Sequence, residues 1–172
     1  MISQTVEYAL RAIVTIAQHG GQPCTARKIS EITQVPSAYL SKLMQGLVRG
    51  GLVNSQRGLH GGFVLTKNPE ELTFLDIVDV IEPFKRIHHC PLGIPSHGAT
   101  LCPLHRRLDD VMEATEQLLR ETIVADVISN PTSVTPLCEV QKTVALNAGR
   151  GEIQENAKPS DDSKLKSKGP QN

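Results

Sequence analysis

Residues 35–67 read VPSAYLSKLMQGLVRGGLVNSQRGLHGGFVLTK, from Val35 to Lys67. Leu40, Leu43, Met44, Leu47 and Val48 recur at the three-and-four spacing of one helix face, and Ala38, Ser41, Lys42 and Gln45 fall on the other side. The spacing predicts a helix from about Ser37 to about Arg49, after a brief turn at Gln34-Val35-Pro36. Gly50-Gly51 stops it, because Gly tolerates left-handed backbone angles. Leu52-Val53-Asn54-Ser55 starts a strand and Phe63-Val64-Leu65 its partner. Between them, Arg57-Gly58-Leu59-His60-Gly61-Gly62 holds three glycines, which permit a tight, close-approaching loop. That loop presents Arg57 at its tip, where a guanidinium can enter a minor groove or clamp a phosphate.

Upstream, Val6, Leu10, Ile13, Val14 and Ala17 keep helical spacing through residues 3–18, with Ser3 as the N-cap and His19-Gly20-Gly21 as the stop. Pro23-Cys24-Thr25 reads as a turn. A second, short helix follows from about Thr25 through Ile32, with Ala26, Ile29 and Ile32 on one face and Thr25 as its cap. Two helices joined by a turn of three or four residues, the second with small and polar groups facing out, form a helix-turn-helix pattern. A recognition helix followed by a two-stranded wing predicts a surface that reads DNA.

Downstream, Asn68-Pro69 breaks the second strand and Thr73 caps a helix, FLDIVDVIE, that Pro83 ends. Residues 86–105 carry Pro and Gly throughout with no usable period, a loop long enough to suggest function. From Pro103 the pattern predicts one long helix to about Ser129. Leu104, Leu108, Val111, Thr115, Leu118 and Thr122 form a heptad seam, and Met112, Leu119, Ile123 and Val127 widen the stripe. That face must be buried, against a second copy of the chain or back on its own domain; a dimeric reader suits the first. Asn130-Pro131 stops the helix. The expected class is mainly α with a small β-wing: a winged helix-turn-helix domain over residues 1–82, a Cys/His sensor loop over 83–103, a dimerisation helix over 104–130 and a largely disordered tail over 131–172.

The 172 residues are 39% hydrophobic and only 3% aromatic, so the core must be mostly aliphatic. Net charge is zero, but its distribution is not even. Residues 1–68 hold seven Lys/Arg against two Asp/Glu, and residues 69–130 hold five against eleven. A polyanion is thus favoured at one end only. No run of apolar residues is long enough to span a membrane and no secretory signal is visible, which predicts a cytoplasmic chain. Four cysteines, Cys24, Cys90, Cys102 and Cys138, are too sparse for a disulfide scaffold.

Taken together, VEYALRAI in the first helix, VPSAYLSKLMQGLVRGGLV, the wing RGLHGGFVL, the segment LTFLDIVDVIE and a cysteine loop before a long helix resemble the Rrf2 family of transcriptional regulators, over about residues 1–130. The resemblance implies a winged helix-turn-helix homodimer on an inverted repeat, with the long C-terminal helices crossing to form the dimer. It points to DNA contacts at the start of the recognition helix and at the wing, here Ser37, Ala38, Tyr39, Ser41, Lys42 and Arg57. The chemistry agrees for Ser37 and Ser41, which bond phosphates or base edges, and for Lys42, which neutralises phosphate. Tyr39 either stacks on sugar or belongs to the core. For Arg57 the bland alternative is a solvated hairpin charge.

Many members of that family carry an iron–sulfur cluster in the loop, commonly on three cysteines with five residues between neighbours and a fourth ligand from elsewhere. Here Cys90 and Cys102 stand at the outer positions, with eleven residues between them, and Ser96 occupies the middle one. His105, His97, His88 and His89 are near enough in sequence to compensate, since imidazole replaces thiolate on iron in some centres. An acidic residue of the N-terminal helix, Glu7, is a further candidate. The resemblance therefore implies a cluster, of the 2Fe-2S type, on Cys90, Cys102 and His105. Two readings compete: tetrahedral zinc on a Cys₂His₂ set, and a reversibly oxidised Cys90–Cys102 thiol pair. A loop whose histidines are merely solvated is the remaining one. Cys24 reads as a small buried residue and Cys138 as no ligand.

The function expected is a sequence-specific DNA-binding regulator, a repressor, acting as a homodimer on duplex DNA and switched through residues 88–105. An enzyme is disfavoured, because the chain has no nucleotide-binding Gly motif, no Ser-His-Asp order and no paired carboxylates in a cleft-like setting. A winged helix that recognises a protein partner is the alternative; steep salt dependence of DNA binding separates the two.

Overall fold

The structure is a computed structural model and describes residues 2–58, 60–94, 100–129 and 136–137. Among the described residues, six helices and one hairpin follow in chain order: α1 (Gln4–Ala17), α2 (Ala26–Thr33), α3 (Ser37–Arg49), β1 (Val53–Gln56), β2 (Gly62–Leu65), α4 (Phe74–Ile81), α5 (Pro103–Glu121) and α6 (Val124–Ser129). The architecture is mostly helical with a small antiparallel wing, as the periodicity predicts. Leu40, Leu43, Met44 and Leu47 of α3 are buried, so the stripe read from the sequence is its core face.

Helix α1 is the spine. Ala9, Ala12, Ile13 and Ile16 are buried along it, and α2, α3, α4, α6 and β2 all pack around it. Ile29, Leu40, Met44, Leu47, Leu72 and Ile77 complete an aliphatic core, as the scarcity of aromatics requires. Burying each such side chain contributes about 1.5–3 kcal/mol against leaving it in water.

Side chains set the helix starts. Ser3 accepts from the Val6 N–H and Thr25 from the Lys28 N–H. Thr73 and Asp76 form a reciprocal capping box, each side chain accepting from the other's backbone N–H. Gln34 ends α2 in the left-handed region, at φ 59°, which turns the chain into α3.

The wing pairs Val53 with Leu65, Asn54 with Val64, Ser55 with Phe63 and Gln56 with Gly62. It is also bonded to the reader through a residue that reads as a plain turn. Cys24 and Phe63 exchange both backbone hydrogen bonds, at 3.0 and 2.8 Å. Gly62 makes this possible, because a Cβ there would lie 2.7 Å from the Cys24 carbonyl oxygen.

The expected single helix from Pro103 to Ser129 is in fact two. Helix α5 stops at Glu121, and Thr122 is extended. The Thr122 carbonyl accepts from the Phe74 N–H at 2.9 Å, and the Val124 N–H donates to the Leu72 carbonyl at 2.9 Å. Thr122, Ile123 and Val124 are all β-branched and favour the extended form. Val124 is fully buried in the α1 core, so α6 belongs to the reader and does not extend the long helix. Ile123 and Val127 therefore do not widen the α5 stripe. Ser96, His97 and Cys138, and almost all of the expected tail, lie outside the described residues.

Candidate nucleic-acid interface and cysteine loop

Ser37, Ala38, Tyr39, Ser41 and Lys42 are all exposed, on the side of α3 opposite its buried stripe. No side chain caps the start of α3, since Pro36 stands at the N-cap. The first-turn N–H groups of a helix have no intrahelical acceptor, and they favour an anion such as phosphate. The Ser41 hydroxyl donates to the Ser37 carbonyl at 2.9 Å, which leaves its oxygen to accept from outside. Lys42 lies on the same exposed surface, as a phosphate-neutralising cation would.

Tyr39 has a foot in each of its two predicted roles. Its side is 39% exposed, yet its hydroxyl shares a 2.5 Å hydrogen bond with Thr5 and its ring meets that of Tyr8 edge-on at 5.6 Å. Arg57 follows β1 directly and is exposed. Gly58 takes φ 115°, which an L side chain rarely adopts, and the Gly61 N–H closes back on the Gly58 carbonyl at 3.0 Å. The sharp reversal leaves Arg57 projecting from the wing.

Two grooves flank α3. One, of about 460 Å³, lies between α3 and the wing and is lined by Ser41, Gln45, Arg49, Ser55 and Phe63. The other, of about 410 Å³, lies toward α1 and α4 and is lined by Thr5, Tyr39, Lys42 and Arg49. Arg49 borders both, and sequence reasoning had not singled it out. The signal was present, because Ser41, Gln45 and Arg49 follow one another at intervals of four along the exposed face.

The cysteine loop leaves α4 at Pro83 and is tied to α5 by an ion pair that no periodicity announces. The Arg86 guanidinium donates twice to the Asp109 carboxylate, at 2.7 and 2.8 Å, and the Ile87 N–H donates to the same carboxylate at 2.9 Å. Glu113 and Glu116 approach Arg86 at 3.3 and 3.8 Å. The Arg86 hydrogen bonds, then the Ile87 N–H, hold the Asp109 carboxyl well below the usual carboxylate range. The same partner, Asp109, pushes the Arg86 guanidinium above its ordinary value.

Of the expected metal ligands, Cys102 and His105 come together. Cys102 is the N-cap of α5, Pro103 takes the first-turn position that proline favours, and His105 follows in that turn. The Cys102 sulfur lies 3.3 Å from His105 Nδ1. Cys90 opens a turn closed by the Gly93 N–H on its carbonyl at 3.0 Å. No disulfide joins Cys24, Cys90 or Cys102. Among the described residues no three His, Cys, Asp or Glu side chains are grouped to hold a metal ion. A cluster or a tetrahedral zinc needs four donors, so the described residues of one chain provide two donors in contact and fall short of a complete site. Glu7 is engaged otherwise, accepting from Arg11 Nε at 2.5 Å. Cys24 is buried beneath the wing, where desolvation pushes its thiol up and weakens it as a nucleophile.

Among the described residues nothing covers one apolar face of helix α5. Leu104, Leu108, Val111 and Leu118 are exposed, between 45% and 65%. The opposite face seats Leu119 against Val6, Leu75 and Val78. Among the described residues no helix is long and apolar enough to cross a membrane.

Comparisons with known proteins agree with this geometry. Residues 2–130 match the family described as Rrf2, iron-dependent transcriptional regulator. The chain is 28% identical to the HTH-type transcriptional regulator IscR of Pectobacterium atrosepticum, over 86% of this chain and 90% of that one. It is 27% identical to the HTH-type transcriptional repressor NsrR of Streptomyces coelicolor, over 76% and 90% of the two chains. The solved structure of CymR, the global cysteine regulator of B. subtilis, superposes with a TM-score of 0.64 at 26% identity, covering 77% of this chain and 98% of that one. A family match over three quarters of the chain, joined to an exposed recognition helix and its wing, makes this protein a DNA-binding transcriptional regulator of the Rrf2 family.

Proposed function

We propose that the protein is a homodimeric repressor that reads an inverted repeat in the cytoplasm. The observation that carries this is the single exposed polar surface of α3 beside a wing bonded to the reader through Cys24 and Phe63. Ser37, Ala38 and Ser41 meet base edges or phosphates, Lys42 and Arg57 neutralise phosphate, and Tyr39 lies at the margin of the contact. Two copies join through the exposed Leu104–Leu108–Val111–Leu118 stripe of α5, which sets the two recognition helices at the roughly 34 Å spacing of successive turns of DNA. The test is selection of duplexes from a random-sequence library by the full chain. A two-fold symmetric consensus with half-sites one turn apart supports the reading; an asymmetric consensus or none refutes it.

We further propose that residues 88–105 are where the signal enters. Supporting this, the loop is anchored by Arg86 to Asp109, one helical turn beyond His105 on the helix that would form the dimer. A change in the loop therefore bears directly on the spacing of the reading heads, a coupling between two sites. The group bound there is proposed to be an iron–sulfur cluster on Cys90, Cys102 and His105, with zinc as the second reading. Either needs donors beyond the Cys102–His105 pair. Anaerobic purification with visible absorption and metal analysis decides between them: iron with sulfide supports the cluster, a colourless chain with one zinc supports the alternative, and a metal-free chain refutes both.

A further inference from the structure

The outer side of α1 carries a connected set of polar contacts that runs from the end of α2 to Tyr39, at the margin of the DNA surface. Arg11 is its centre. Its Nη1 donates to the Thr33 carbonyl at 3.0 Å, in the last residue of α2, where a helix leaves its carbonyls unpaired. Its Nε donates to Glu7 at 2.5 Å, one turn back on α1. Its guanidinium lies 5.7 Å from the centre of the Tyr8 ring. Tyr8 in turn receives the Gln4 amide on its hydroxyl at 2.8 Å and braces Tyr39 edge-on, at an interplanar angle of 79°. Thr5 holds the Tyr39 hydroxyl at 2.5 Å.

These contacts join one face of α1 to both sides of the helix-turn-helix turn. Thr33 is the last residue before the left-handed Gln34, and Tyr39 lies in the first turn of α3. Between them run only Gln34, Val35, Pro36, Ser37 and Ala38. The turn is thus gripped at its entry by Arg11 and at its exit by Tyr8 and Thr5. A guanidinium is suited to the first grip, because it donates in two fixed directions at once, to Glu7 and to the Thr33 carbonyl. An aromatic edge suits the second, since it fixes a ring's position without a long flexible side chain.

We infer that Arg11 and Tyr8 are positioning residues of the DNA reader: through Thr33 and Tyr39 they set where the first turn of α3 sits, and operator affinity depends on them although neither belongs to the reading face. The inference rests on the DNA-reading function proposed above. It assigns Tyr39 to the frame of the recognition helix, with its exposed edge at the rim of the contact. A misplaced recognition helix loses base contacts first, because these need alignment, whereas attraction to phosphate persists over a longer range. Sequence-specific and non-specific binding must therefore respond differently.

The experiment uses the full chain, a duplex that the wild type selects from a random-sequence library, and a mixed-sequence duplex of equal length. All titrations are run well below the melting temperature of each variant. Arg11→Met keeps the aliphatic stem and removes both hydrogen bonds. It is expected to weaken binding to the selected duplex about tenfold, the equivalent of one charge-assisted hydrogen bond. Binding to the mixed duplex is expected to stay within about twofold, with an unchanged salt slope. Tyr8→Phe keeps the bracing ring and is expected to bind as the wild type does, whereas Tyr8→Leu loses about the same tenfold. Arg11→Met that melts earlier yet binds the selected duplex normally overturns the inference, because the role is then only structural. Equal weakening on both duplexes with a shallower salt slope also overturns it, because Arg11 is then a phosphate contact. A wild-type chain that selects no sequence refutes the DNA-reading function itself, and this inference with it.

Discussion

Gly62→Ala is the substitution that most directly separates the wing from the helices it serves. The new Cβ would lie 2.7 Å from the Cys24 carbonyl oxygen, 2.8 Å from its carbon and 3.0 Å from its nitrogen. These are backbone atoms, so no side chain can rotate away. Ordinary van der Waals contact requires β2 to retreat by roughly 0.7 Å. The two Cys24–Phe63 hydrogen bonds, now 3.0 and 2.8 Å, would then stretch past or to the edge of the hydrogen-bonding range. Losing two backbone hydrogen bonds near a buried residue costs about 2 kcal/mol, which for a folded unit of this size lowers Tm by about 6–10 °C. The wing would also lose its fixed distance from α3, so affinity for the selected duplex should fall about tenfold or more while mixed-sequence binding changes less. Differential scanning calorimetry and fluorescence anisotropy read the two effects. A Gly62→Ala chain with wild-type Tm and wild-type operator affinity would refute the close approach as the device that holds the wing.

Other outcomes follow from the same geometry. Arg57→Ala should reduce the slope of log K against log salt by about 0.9 for each phosphate its guanidinium neutralises, with little change in Tm; an unchanged slope makes Arg57 a solvated hairpin charge. Asp109 has a depressed folded-state pKa, so its pairing with Arg86 contributes stability above the unfolded carboxylate value of about 3.9 and loses it as pH falls toward the folded value. Asp109→Asn should therefore lower Tm at neutral pH and flatten its decline below about pH 4, with no new dependence between about pH 5 and 8; a parallel shift at every pH contradicts this. Val111→Asp, at a site 65% exposed in the single chain, should leave the monomer folded but convert a dimer to monomer in sedimentation equilibrium. A dimer that survives the charge would place the contact elsewhere.

The reader was legible because its periods are local. The stripe Leu40-Leu43-Met44-Leu47, the caps Ser3, Thr25 and Thr73, and the Gly-Gly stop each involve residues within a few positions, and all stand where the sequence puts them. The end of α5 was not legible, because the apolar spacing runs on through Ile123 and Val127. What stops the helix is pairing of Thr122–Val124 with Leu72–Phe74, some fifty residues upstream, and tertiary pairing overrides a helical period. Cys24 gave no sign of its partner, since a single-residue bridge has no alternation to read. The Arg86–Asp109 tether joins residues across an aperiodic loop and was equally silent. The candidate contacts of α3 followed from its outward face; Arg49 stood only as the end of that helix, and the two grooves it borders come from packing against the wing and α1. Among the described residues Cys102 and His105 share a local frame, the first turn of α5, and they meet there at 3.3 Å. Whether Cys90 joins that frame depends on the loop's path, which its own composition does not encode; among the described residues the three do not form a metal-holding group.

Whether α3 and the wing read DNA is tested most directly by a titration of the full chain against the selected inverted repeat and a mixed-sequence duplex, over a range of salt concentrations. Expected are two chains per repeat, affinity for both duplexes that falls steeply with salt, and binding to the repeat at least about a thousandfold tighter at physiological salt. Equal affinity for the two duplexes, or binding indifferent to salt, would contradict the DNA-reading role.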